Sequence, residues 1–158
     1  MGNDPNQLGH ADVRIPPPLI YVAGLVLGLA LDKALPRVPF PQTPSRVAAL
    51  FCVALWAVLM VWSFGLFRRA HTSIIPVKPT TSLVVSGPYR FTRNPIYVGF
   101  VCLYLGLALW FGIFWAFILL PAVIAVVQYY VIAREEQYLE QKFGKEYLEY
   151  KSCVRRWI

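Results

Sequence analysis

The chain has 158 residues, 58% of them hydrophobic, with a mean hydropathy of +0.54 and a formal charge of +7. That apolar excess excludes an ordinary soluble domain and points to a membrane protein, whose crossings each need about 20 apolar residues. The basic charge alone would suit a nucleic-acid binder, but its placement along the chain argues against one.

The first fifteen residues are polar, with no apolar h-region, so no cleavable signal peptide is expected. Residues 1–14 read as a mobile tail. After Pro16-Pro17-Pro18 comes the first apolar run, about Leu19 to Leu35. Asp32 and Lys33 near its far end are expected to snorkel or pair at the interface. A proline-rich connector, Pro36 to Pro44, carries no readable chemistry. Val47 to Phe67 is the cleanest span, 21 residues with Ser63 as its single polar member, closed by Arg68-Arg69.

The polar loop from about Arg68 to Asn94 holds His71, Lys78 and the stretch from Ser86 to Gly99. Gly87-Pro88 breaks regular structure. Asn94-Pro95 reads as a helix start, Asn as N-cap and Pro at the first helical position. Such an N-terminus, flanked by Arg90, Arg93, Tyr89 and Tyr97, suits an anionic ligand.

From Pro95 to Ala133 there are 39 residues without a charge. As one helix they would reach about 58 Å, nearly twice the apolar thickness of a bilayer. The run must therefore double back, near Phe111-Gly112, with Pro121 as a kink in its second arm. The expected fold is all-α and integral to the membrane: four transmembrane helices plus a C-terminal amphipathic helix. It forms a single membrane domain, 1–158, with the tail and two spans in 1–67 and the loop, hairpin and C-terminal helix in 68–158. In the last segment, Leu139, Phe143 and Tyr147 recur every fourth residue among alternating charges. Gly144 weakens that helix, and Arg155-Arg156-Trp157 reads as an interfacial anchor.

With four spans, both termini and the 68–94 loop share one side, which holds 12 of the 15 lysines and arginines. The positive-inside rule puts that side in the cytoplasm. The basicity is then topological, and nucleic acid is not an expected partner.

The residues set aside several chemistries. Neither His10 nor His71 has a nucleophile or acid partner, and no glycine-rich nucleotide loop is present. Cys52, Cys102 and Cys153 give no disulfide framework and no metal spacing. What remains is the polar loop, the start of the third span and Glu135-Glu136 at the end of the fourth. The hairpin brings these to one membrane level, a mouth suited to a ligand with an anion, an aromatic ring and sugar hydroxyls. Structural readings stand beside this: Tyr89 and Tyr97 as interface aromatics, the arginines as headgroup contacts, Asn94 as a plain cap, Glu135 and Glu136 as a solvated helix face, and Gly87 and Gly99 as a turn and a packing glycine.

Ser86 to Gly99 resembles the Gly-x-Tyr…Arg-His-Pro-x-Tyr-x-Gly signature of the isoprenylcysteine carboxyl methyltransferases and their bacterial relatives. Glu135-Glu136-x-x-Leu139…Phe143-Gly144-x-x-Tyr147-x-x-Tyr150 resembles their C-terminal signature, and phospholipid methyltransferases share a looser version of both. The resemblance covers about residues 78–157. It implies an S-adenosylmethionine-dependent methyltransferase acting at the membrane–cytosol interface on a lipid-like or prenylated substrate, an isoprenylcysteine-type carboxylate first among them. Thr81, Ser82, Leu83, Val84, Tyr89, Asn94, Pro95, Ile96 and Tyr97 would line the cofactor site, with Glu135 completing it.

Arg90 or Arg93 and the helix N-terminus would hold the methionyl carboxylate. Tyr89 or Tyr97 would face the sulfonium or the adenine. Asn94, Arg93 and Glu136 are the candidate catalytic residues, none taken as a sole general base. Two departures stand out. Asn94 occupies the place of the signature histidine, and Val131 stands near a substrate-contacting arginine of the eukaryotic members, with Arg134 one turn later. Alternative readings are a phospholipid or small-thiol methyltransferase, a sterol-type NADPH-dependent reductase, and a non-enzymatic membrane scaffold.

Overall fold

A computed structural model of the chain describes residues 15–36, 42–71 and 81–158. The N-terminal tail, most of the proline-rich connector and Lys78 lie outside them. The described residues are helical, with no strand among them. Helix α1 spans Pro17–Ala34, α2 Gln42–Arg69, α3 Pro95–Phe111 and α4 Phe114–Val126. A wider π-helical turn, Val127–Ile132, joins α4 to α5, Ala133–Phe143, and α6 follows at Lys145–Cys153.

The ends follow local chemistry. Prolines at the first turns of α1 and α3 cost no hydrogen bond. Between α3 and α4, Gly112 takes a left-handed conformation, φ 66°, and the Ile113 amide donates to the Ala108 carbonyl across 2.8 Å. The doubling-back expected at Phe111-Gly112 is there. Pro121 sits inside α4. Gly144, at φ 53°, separates α5 from α6, so the tail is two helices rather than one.

Small residues decide how closely the helices approach. A Cβ on Gly28 of α1 would lie 2.9 Å from the Ala116 amide nitrogen of α4. One on Gly106 of α3 would lie 3.2 Å from the Ala49 carbonyl of α2. Helix α2 therefore packs along α3, and α1 along α4. Tyr21 of α1 stacks on Phe100 and meets Tyr104 edge-on, so α1 lies in the groove between α3 and α4.

Asp32 does not snorkel. It is buried, and its carboxylate accepts from the Phe114 and Trp115 amides at 3.2 and 3.0 Å, capping α4 from a neighbouring helix. The N-terminal amides of α4 carry partial positive charge, which is what a buried carboxylate needs.

Among the described residues, three helical stretches are long and apolar enough to cross a bilayer: Pro17–Ala34, Ser45–Arg69 and Phe114–Phe143. The fourth expected span, α3, has 17 residues, or about 25 Å of rise, at the short end for a crossing. Much of the apolar surface faces outward, including Val26, Phe51, Val58 and Val61, the last 74% exposed. That is the surface of a bundle solvated by lipid rather than water.

Candidate functional site

The site assembles at the start of α3. Gly87–Arg90 forms a 3₁₀ turn in which Gly87 has φ 61° and sits hard against α2: a Cβ there would lie 2.7 Å from Trp62 Nε1. Glycine is required on both counts. The turn carries Tyr89 into the bundle, 7% exposed, its ring edge-on to Phe67. Pro95, Tyr97 and Gly99 then face inward from α3, and Gly99 packs on Met60 and Trp56.

The hairpin brings α5 to the same place. Tyr97 Oη donates to Glu135 Oε1 at 2.7 Å, a charge-assisted bond across 38 positions. Glu135 Oε2 has no hydrogen-bond partner among the described residues. Tyr21 Oη donates weakly to the Tyr97 carbonyl at 3.4 Å. Tyr89 lies close enough to Glu135 to feel its charge, and burial pushes its phenol well above the ordinary tyrosine range. The Ser63 hydroxyl pulls that shift partly back, yet Ser63 Oγ is fully buried and makes no hydrogen bond of good geometry. Two tyrosines, one carboxylate and one unsatisfied hydroxyl thus meet at the mouth of the bundle.

The two glutamates have different fates. Glu136 is 4% exposed and lies between two guanidinium groups. Arg156 approaches it with Nε at 3.0 Å and a terminal nitrogen at 2.6 Å, and Arg93 pairs with it at 3.1 Å. The Glu136 hydrogen bonds raise the Arg156 pKa. A carboxylate held this way is a structural anchor, because freeing it would strand two buried or half-buried cations.

Arg93 also donates to the Lys151 carbonyl at 3.1 Å, so both its terminal nitrogens are engaged while its buried Nε has no partner among the described residues; Arg90 is exposed. Asn94 stands at the N-cap position, but its side chain does not cap α3. Its amide donates instead to the Arg156 carbonyl at 2.9 Å. Thr81 and Ser82 donate to the His71 and Ala70 carbonyls at 3.1 and 3.0 Å, closing the C-terminal end of α2. Leu83, Val84 and Ile96 are half-buried. Tyr89, Tyr97 and Glu135 are the candidate residues the fold brings together; Thr81, Ser82, Asn94 and Glu136 have polar groups engaged elsewhere, as do the terminal nitrogens of Arg93.

The C-terminal tail does not end as a free anchor. Trp157 Nε1 donates to Gln128 Oε1 at 2.9 Å, and Tyr150 Oη donates to the Tyr89 carbonyl at 2.7 Å. Burial pushes the Tyr150 phenol up to about 12, with Arg93 opposing. Arg156 pairs inward because the buried Glu136 carboxylate offers a stronger partner than water. Tyr21 and Arg156 carried no sequence signal as site residues, and Tyr150 stood out only as the last tyrosine of the C-terminal signature. Ser63 did carry one, as the single polar residue of an otherwise apolar span.

A helical bundle with lipid-solvated flanks and an aromatic and carboxylate cluster at one end defines the class: an integral membrane protein with a candidate site where its helices meet. The chain belongs to the phospholipid methyltransferase family, which matches residues 44–146 and includes membrane methyltransferases of the isoprenylcysteine carboxyl type. Family membership implies methyltransferase activity, and the family generally uses S-adenosylmethionine. A curated protein of Haemophilus influenzae (strain ATCC 51907 / DSM 11121 / KW20 / Rd), described as uncharacterized, is 43% identical over 63 residues, 40% of this chain and all of that one. No solved structure matches the chain.

Proposed function

We propose that the protein transfers a methyl group from S-adenosylmethionine to a lipid-like acceptor at the membrane surface, and that the acceptor is an isoprenylcysteine-type carboxylate. The observation that carries this reading is the cluster of Tyr97, Glu135, Tyr89 and Ser63, in which the buried Ser63 hydroxyl has no hydrogen-bond partner among the described residues. A buried hydroxyl without a partner costs about 1–3 kcal/mol, which a bound ligand would recover.

The donor set fits the cofactor. Glu135 Oε2 would accept from ribose hydroxyls or an amino group, and Ser63 would exchange a hydrogen bond. The tyrosine faces would receive the adenine or the cationic sulfur. Exposed Arg90 and the α3 N-terminus, which has no side-chain cap, would hold a carboxylate. When bound, the cofactor supplies an electrophilic methyl group. The chain's own residues align the acceptor and exclude water from it.

A carboxylate acceptor needs no proton removed. That agrees with a site in which Glu136 is locked between two arginines and Glu135 is hydrogen-bonded to Tyr97. In the same reading α3 is a fourth span, the chain is one membrane domain, and both termini lie in the cytosol.

The test is incubation of the detergent-purified chain with methyl-labelled donor and separate extraction of phospholipids, small thiols and a prenylcysteine acceptor. Label in the prenylcysteine fraction that mild base releases as methanol identifies a carboxyl ester. Base-stable label in phospholipid would reject the carboxylate acceptor, and no transfer to any fraction would reject the enzyme.

A further inference from the structure

The segment that holds the α3 entrance follows residues 44–146, over which the phospholipid methyltransferase family matches, and begins at Tyr150 of the C-terminal signature. Three of its main-chain carbonyls face the turn at 92–94. The Arg155 carbonyl accepts from the Arg93 amide at 2.9 Å, and the Lys151 carbonyl accepts from the Arg93 guanidinium at 3.1 Å. The Arg156 carbonyl accepts from both Thr92 Oγ1 at 3.1 Å and Asn94 Nδ2 at 2.9 Å.

Arg156 is held at both ends. Its carbonyl grips the turn that leads to Tyr97, and its guanidinium grips Glu136, the neighbour of Glu135. One residue therefore bridges the two chain segments whose side chains meet in the site. The turn needs such a bridge. Asn94 has φ −131° and ψ 53°, outside the helical region, and Phe91 beside it is 75% exposed. Thr92 and Asn94 are nonetheless buried, and their side chains find their hydrogen-bond partner in the C-terminal segment, so the order of the turn depends on that contact.

We propose that residues 150–157 are a clamp that fixes the α3 entrance in its binding geometry, with Arg156 as the positioning residue. Its effect on ligand binding rests on the function proposed above; its effect on the turn does not. Replacing Arg156 by Ala keeps the main-chain carbonyl and removes only the link to Glu136. Replacing it by Lys keeps the charge and loses the two-pronged geometry.

The test uses the full chain in nanodiscs, below the unfolding temperature of each variant. Amide hydrogen exchange is measured across residues 92–98, and binding of S-adenosylhomocysteine, the demethylated cofactor, is measured by calorimetry. For Arg156→Ala, exchange at 92–98 should accelerate at least about tenfold with α1 and α2 unchanged. The Kd should rise at least about tenfold, because misplaced contact groups lose binding steeply, and Arg156→Lys should fall between. Faster exchange spread over all helices with an unchanged Kd, or an unchanged rate at 92–98, would overturn the clamp. Should Arg156→Ala fail to fold, Arg156→Lys and Trp157→Ala carry the same two readouts. A wild-type chain that binds no cofactor rejects the proposed function, and the exchange rates then decide the clamp alone.

Discussion

Tyr97 and Glu135, 38 positions apart in the chain, share a 2.7 Å hydrogen bond at the rim of the helical bundle. The contact exists because α3 and α4 double back at Gly112 and because the π-helical turn carries α4 on into α5 without a break. A second buried tyrosine, Tyr89, lies near enough to Glu135 to feel its charge.

If this pair holds a ligand, Tyr97→Phe should weaken cofactor binding by about 1.5–3 kcal/mol, roughly tenfold or more, the worth of a hydrogen bond to a charged group. Glu135→Ala and Tyr89→Ala should weaken it as well. Calorimetry on the purified variants is the measurement. Binding unchanged in both alanine variants would remove these residues from the site.

The Asp32 cap makes a separate prediction about stability. Asp32→Ala leaves the Phe114 and Trp115 amides without their carboxylate, and the expected loss is about 1–3 kcal/mol. Asp32→Asn, which keeps one acceptor oxygen, should lose less. Unfolding in mixed micelles with increasing sodium dodecyl sulfate measures both. An Asp32→Ala chain as stable as the parent would show that α4 needs no cap from α1.

Close helix approach makes a prediction at Gly28. Any side chain there strikes the α4 backbone at Ala116, which cannot rotate away as a side-chain tip can. Gly28→Val should destabilise by at least about 1–3 kcal/mol through overpacking, whereas Gly65→Val, at a position with open space, should change little. Parallel unfolding curves separate the two; equal midpoints would contradict the packing described.

Burial raises the phenol pKa of Tyr89, Tyr147 and Tyr150, the last to about 12. The folded state therefore resists forming these phenolates, while the unfolded chain forms them near pH 10. Their contribution to stability is complete below about pH 10 and is lost as pH climbs towards the folded values. Unfolding midpoints in detergent should be flat from pH 8 to about 10 and fall beyond it. A midpoint that stays flat to pH 11.5 would mean these phenols are not buried.

The contrast between Glu135 and Glu136 shows where sequence reading stops. Adjacent residues of one type look equivalent in a string, yet neighbours on a helix point about 100° apart. One glutamate meets Tyr97 and the other meets Arg93 and Arg156. Asn94 shows the same limit. Its place before Pro95 marked the helix start correctly, but its side chain went to a carbonyl 62 positions away rather than to the helix it precedes. Asp32 was legible only as a charge near the end of an apolar run, because the amides that hold it belong to α4.

Local chemistry alone determined the apolar runs, the breaks at Gly87-Pro88 and Gly112, the reversal forced on 39 uncharged residues by bilayer thickness, and the signature residues that align with a family. Those follow from hydropathy, backbone freedom and length, all properties of neighbours in the chain. Only the tertiary structure decided that α1 lies between α3 and α4, that Asp32 caps α4, and that the last residues close over the α3 entrance. Each depends on a long-range partner for a buried polar group or a packed surface, and many sequences would offer several such partners. Folding selects among them by satisfying the greatest number of buried donors and charges at once.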